Sequence, residues 1–345
     1  MDGLAQDPVM AVAALGLGLV PVLLFLGGLV LLDSYKLVTR RAMLASIGWG
    51  AVAAGAAFAA HVALLDRAGV DPALLRRWIA PALEEPLKAA WVLFLVRRGR
   101  VGFVVDAALH GFAAGAGFAL VENAYYWGAL GNFGPALWLV RGLGTAVLHG
   151  STTAIVAIVA KDLSDRRGAR LAAAAAPGML AAFAVHAAFN HVVLHPLLTT
   201  ALIIVVMPLL LLVAFEHSER ATRDWLGAGM DRDLELMELI ASGEIRDSRI
   251  GHYLESLRDR FSGPVVADML CLLQIHLELA IRAKGLLIAR EAGFNVPVDD
   301  SVRANFQEMR YLERSIGPTG LLALKPVFQR SRRDLWQLHV LGGRP

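Results

Sequence analysis

The sequence predicts an all-α, polytopic membrane protein of about seven transmembrane helices, followed by an all-helical cytoplasmic domain. Three observations carry this. Hydrophobic residues make up 57% of the 345-residue chain and charged residues 18%, well away from globular averages. The apolar residues concentrate in 1–215 and most of the charge in 216–345. Apolar runs of spanning length recur at 9–32, 42–65, 78–96, 103–127, 135–160, 171–195 and 197–215.

Each run is taken in order. The first follows Asp2 and Asp7 without a basic residue, so it reads as a span and not as a cleavable signal, which opens on a basic segment. The connection after it holds Lys36, Arg40 and Arg41; the third-to-fourth connection holds Arg97, Arg98 and Arg100; the fifth-to-sixth holds Lys161, Arg166, Arg167 and Arg170. Basic connections stay inside, which puts the N-terminus outside and the C-terminus in the cytoplasm. The connection at 66–77 runs against this, carrying Arg67, Arg76 and Arg77 on the outer side. In the fourth run, Gly111 and Gly115 form a GxxxG spacing that Gly117 extends. Such a surface lets helix backbones approach closely, and it is read as packing only.

Residues 216–345 revert to amphipathic helical spacing, with Leu234, Met237 and Ile240, then Leu254, Leu257 and Phe261. Nothing in this domain suggests chemistry. One cysteine, Cys271, excludes an intramolecular disulfide and a cysteine-based zinc finger. A net charge of +3 without a long run of like charges gives no nucleic-acid surface. Lipid is the expected surrounding of 1–215.

The third run reads Trp78-Ile-Ala-Pro-Ala-Leu-Glu84-Glu85-Pro-Leu-Lys88. A charge at the centre of a span costs about 3 kcal/mol, while a large apolar residue returns about 0.5 kcal/mol. Glu84, Glu85 and Lys88 therefore require partners inside the protein, and such residues mark function by default. Glu84 and Lys88, four apart, are expected to pair. Further polar residues lie in later runs: Asp106, His110, Glu122 and Asn123 in the fourth, His149 with Thr152 and Thr153 in the fifth, and His186, Asn190 and His191 in the sixth. At the helical rise, Glu84, His149 and His186 fall roughly 16–22 Å from the cytoplasmic end, with Glu122 and Asn190 about 28 Å up. Asp106 and His110 lie about 10 Å or less from that end and form a separate feature. One site built from runs three to six is expected.

Two histidines, paired glutamates and an asparagine suit hydrolysis. A glutamate activates water and a histidine assists proton transfer; an amide or a second histidine stabilises an oxyanion. His149, His186 and a glutamate are also a zinc-type donor set, although no HExxH motif supports it. No residue is assigned to a metal, and no cofactor is expected.

Four segments in this order resemble the PrsW family of bacterial intramembrane proteases: Glu84-Glu85-Pro-Leu-Lys88, Gly117-Phe-Ala-Leu-Val-Glu122-Asn123-Ala-Tyr125, Leu148-His149-Gly-Ser-Thr-Thr153, and His186-Ala-Ala-Phe-Asn190. The likeness covers roughly 75–195 and extends more distantly to the CAAX prenyl endopeptidases, which carry a histidine where this chain has Glu122. The resemblance implies a glutamate-dependent endopeptidase of a bacterial plasma membrane that cuts membrane-anchored proteins such as anti-sigma factors. Glu84, Glu85, His149 and His186 would be catalytic; Lys88, Glu122, Asn123 and Asn190 would support them. The tail at 216–345 is outside the likeness, and a regulatory partner is the role left to it. A transporter and a non-catalytic scaffold acting through the tail are the rival readings. Matching broken repeats, the mark of a carrier, are not evident.

Overall fold

The computed structural model describes residues 8–130, 137, 139–167, 170–294, 296–297, 299–328 and 332–342. These residues form helices and connecting turns, with no strand among them. The helices are α1 (Pro8–Leu32), α2 (Arg40–Asp66), α3 (Ala80–Arg97), α4 (Val104–Leu130), α5 (Ala146–Arg167), α6 (Leu171–Asn190), α7 (Pro196–Ser242), α8 (Arg249–Ser256), α9 (Gly263–Glu291), α10 (Asp300–Leu324) and α11 (Arg332–Val340). Two of them continue from π-helical segments, Leu75–Ile79 into α3 and Val140–Thr145 into α5.

The chain divides into two compact units: one of 1–33 and 37–219, the other of 34–36 and 220–345. Among the described residues, six helices are long and apolar enough to cross a membrane: α2, α4, α5 with its π-helical lead, α6, α7 and α9. One expected span departs from the others in composition. Glu84, Glu85 and Lys88 interrupt the apolar run of α3, while α1 (Pro8–Leu32) holds no charged residue over its 25 residues, as the first expected span requires. The chain is a polytopic helical membrane protein.

In the first unit α4 is central, and small residues make that position available. A Cβ on Gly115 would lie 2.1 Å from the carbonyl oxygen of His149, and one on Gly117 would lie 2.0 Å from that of Ile47. The glycines thus bring the α5 backbone against one side of α4 and the α2 backbone against another. The start of α4 is fixed by Asp106, whose carboxylate accepts from the backbone N–H groups of Gly102 and Phe103, each at 2.7 Å. That is an end-capping role. Leu44 and Val52 on α2 and Leu202, Val205, Leu209 and Val213 on α7 are exposed, the surface of a helix solvated by hydrocarbon.

The second unit has an apolar core. Met269, Leu272, Leu279, Ala283 and Leu287 of α9 are fully buried, and most of them pack in one cluster with Val302, Met309, Leu312 and Ile316 of α10. The apolar run of α9, long enough to span a bilayer, lines this core.

Candidate active site

Polar side chains from α3, α4, α5, α6 and the π-helical segment before α5 meet in one connected run. Glu85 of α3, buried completely, accepts from Lys88 Nζ at 2.7 Å through Oε1. The same oxygen lies 2.7 Å from His186 Nδ1 of α6. Lys88 Nζ also lies 2.9 Å from His149 Nδ1 of α5. His149 Nε2 is 3.0 Å from Glu122 Oε2 of α4, and that carboxylate is 3.1 Å from Nη2 of Arg141 in the π-helical segment before α5. An ammonium group only donates, so His149 Nδ1 accepts and its Nε2–H donates to Glu122. A carboxylate oxygen accepts, so His186 Nδ1–H donates to Glu85, and the Nε2 lone pair of His186 is left facing Glu84.

Glu84 stands apart from this run. Its Oε2 is 3.9 Å from His186 Nε2, and its Oε1 is 3.7 Å from His61 Nε2 of α2. Both gaps exceed a hydrogen bond, and polar atoms at such separations commonly share a bridging atom. Glu84 is buried, and Glu85 Oε2 is buried without a hydrogen-bond partner among the described residues.

The expected convergence of Glu84, Glu85, Lys88, Glu122, His149 and His186 is what the structure contains, with three corrections. Lys88 pairs with Glu85, not with Glu84. Asn190 is not in the run: its Nδ2 donates to the Arg76 carbonyl at 2.9 Å, in the π-helical turn before α3. The edge of His191 meets the Trp78 ring next to it, centroids 4.7 Å apart, so the end of α6 clasps the segment that leads to the glutamates. Asn123 is buried, but it accepts from Arg141 Nε at 3.2 Å and so acts through Arg141. His110, as expected, belongs elsewhere: its Nδ1 is 2.8 Å from Ser46 Oγ, which also accepts from Trp91 Nε1.

Two members were missed in the sequence. Arg141 and His61 each interrupt an apolar run, and the insertion cost that singled out Lys88 applies to Arg141 equally. Arg141 also covers the Tyr126 ring face at 3.7 Å.

The model of the PrsW family, described as PrsW family intramembrane metalloprotease, matches residues 39–214. This chain belongs to the PrsW family. No curated protein and no solved structure matches it. The match spans all the helices that supply the PrsW site, α2 to α6, and the first part of α7, as far as residue 214. It also raises metal binding as a question for the donor set. Glu84, His149 and His186 offer one oxygen and two nitrogens within 4.8 Å of one another, all buried. This is a hydrolytic zinc-type set, and Glu85 behind His186 is the carboxylate that such a histidine usually carries. Three carboxylates (Glu84, Glu85, Glu122) also face two fixed cations (Lys88, Arg141), which favours an added positive charge. The donors therefore fit a metal ion in type and proximity. Lys88 opposes it, because its ammonium already holds the Nδ1 lone pair of His149.

Proposed function

We propose that this PrsW-family protein hydrolyses peptide bonds of membrane-anchored proteins at the depth of Glu84 and Glu85. The observation that carries the reading is the Glu84 carboxylate, buried without a direct hydrogen bond among the described residues, with His186 Nε2 3.9 Å from one oxygen. A water bridging that gap would lose a proton to Glu84 as its oxygen attacks the scissile carbonyl. His186 Nε2 accepts from the same water and orients it, and Glu85 fixes the imidazole by accepting from Nδ1–H. Lys88 neutralises Glu85, so one glutamate acts while the other positions.

On the leaving side, the proton held by Glu84 passes to the amine nitrogen as the C–N bond breaks. Glu122 and Arg141 anchor His149, whose ring edge meets that of His186 with centroids 4.9 Å apart. Glu84, His149 and His186 are the residues that would hold a zinc ion, which when bound supplies Lewis acidity and a more acidic water. Using His149 in that way requires one of its nitrogens to be released, Nδ1 from Lys88 or Nε2 from Glu122.

The basic connections support an outer N-terminus and a cytoplasmic tail in a bacterial plasma membrane, with substrates of the anti-sigma-factor type. The second unit fits a regulatory or partner-binding role. The reading is tested by alanine at Glu84, Glu85 and His186, scored for cleavage of a co-expressed membrane-anchored substrate. Cleavage is expected to disappear in all three; persistence in the Glu84 variant overturns the assignment of the base.

A further inference from the structure

We infer that His61 is a further catalytic residue, donating a hydrogen bond from Nε2 to the carbonyl oxygen of the scissile peptide. The inference rests on the peptidase reading above and extends it to α2, a helix that carries none of the four motif segments. His61 lies on the side of Glu84 opposite His186. The two oxygens of Glu84 each face an imidazole Nε2, His186 at 3.9 Å and His61 at 3.7 Å. The two histidines differ in their surroundings. His186 is buried and its second nitrogen is engaged by Glu85. His61 has a side chain 20% exposed, while its Nε2 atom is itself buried and has no hydrogen-bond partner among the described residues.

A buried polar nitrogen without a partner is costly to keep, and in an active site it marks the place of a group that arrives with the substrate. The chemistry of that group follows from Glu84. A carboxylate oxygen 3.7 Å away favours the tautomer with hydrogen on Nε2, and an N–H seeks an acceptor. The acceptor that a peptide substrate brings is its carbonyl oxygen. The attacking water then sits on the His186 side of Glu84 and the carbonyl oxygen on the His61 side, so the two Nε2 atoms serve opposite ends of the bond being formed.

The neighbouring aromatic groups suit an extended chain entering here. Phe58, one turn before His61 on α2, packs against Tyr125 of α4 with centroids 4.7 Å apart, and both rings are partly exposed. Together they give the His61 side an apolar rim.

The test uses the purified full-length protein and a single-span reporter peptide that the wild type is first shown to cut. His61→Ala is expected to lower kcat about a hundredfold, the loss typical of one oxyanion donor, with KM within threefold and the thermal unfolding midpoint unchanged. His61→Gln, which keeps an N–H donor, is expected to recover at least tenfold of that loss. Unchanged kcat in His61→Ala overturns the inference while leaving the peptidase reading intact. A loss matched by a fall in the unfolding midpoint, without recovery in His61→Gln, assigns His61 to packing and also overturns it. Glu84→Gln run alongside separates the two claims, because cleavage persisting there removes the parent reading.

Discussion

Two buried lysines, Lys88 in the first unit and Lys284 in the second, are held in opposite ways. In the second unit Lys284 is paired with Asp233, donates to the Gly229 carbonyl and lies over the Trp225 ring. One cation meets one carboxylate, and the core beside it is leucine and methionine. In the first unit Lys88 is shared between Glu85 and His149, and the run continues to Glu122, Arg141 and His186. There the carboxylates outnumber the fixed cations, and Glu84 is left without a direct hydrogen bond. A matched pair closes a fold, whereas an unmatched run leaves a group available for chemistry.

The contrast can be broken most strongly at Glu84. Because Glu84 makes no hydrogen bond among the described residues, Glu84→Gln is expected to lower cleavage by about 10²–10⁴-fold while leaving unfolding in detergent unchanged. Its neighbour behaves differently. Lys88→Met strands Glu85 as a buried charge and is expected to destabilise the first unit by about 3–5 kcal/mol, read as a lower unfolding midpoint. The same variant frees His149 Nδ1. Cobalt(II) binding followed by visible absorption is therefore expected to tighten in the fraction that remains folded, and to weaken in His186→Ala.

Leu272→Ala in the second unit is expected to cost about 2–5 kcal/mol without changing cleavage per folded molecule. Equal losses of activity and stability there would show that the second unit shapes the site. Asn190→Ala is smaller: losing its bond to the Arg76 carbonyl is expected to cost about 1 kcal/mol and to reduce cleavage a fewfold. A hundredfold loss would return Asn190 to the oxyanion.

The mildest probe is pH. Tyr35, grouped with the second unit, has its phenol pushed up to about 12 by burial, with the Glu291 carboxylate adding to it. A raised value means that the neutral phenol stabilises the fold below its ordinary value of 10.0, and that this is lost as pH climbs through about 12. Tyr35→Phe is expected to flatten the alkaline part of the unfolding profile.

Most of the fold was legible because length and charge alone define a span. The elements that escaped are instructive. Helix α9 was not among the expected spans, and although it is as long and apolar as they are, its apolar side chains line a core. Lys88 lies three residues from Glu85 and four from Glu84, and both spacings share a helix face. Only the arrival of His149 and His186 from other helices decides the partner. Asn190 failed for a related reason, since a π-helical turn before α3 offers a carbonyl that sequence spacing does not announce. Arg141 and His61 were within reach of the insertion argument applied to the later motifs.

The most direct measurement is cleavage of a membrane-anchored reporter in heavy-oxygen water, with the products read by mass spectrometry. One heavy oxygen is expected in the new C-terminal carboxylate, with the cut inside or beside the membrane segment and no product from Glu84→Gln. Product formed equally by Glu84→Gln, folded to the wild-type midpoint, would contradict Glu84 as the group that activates water.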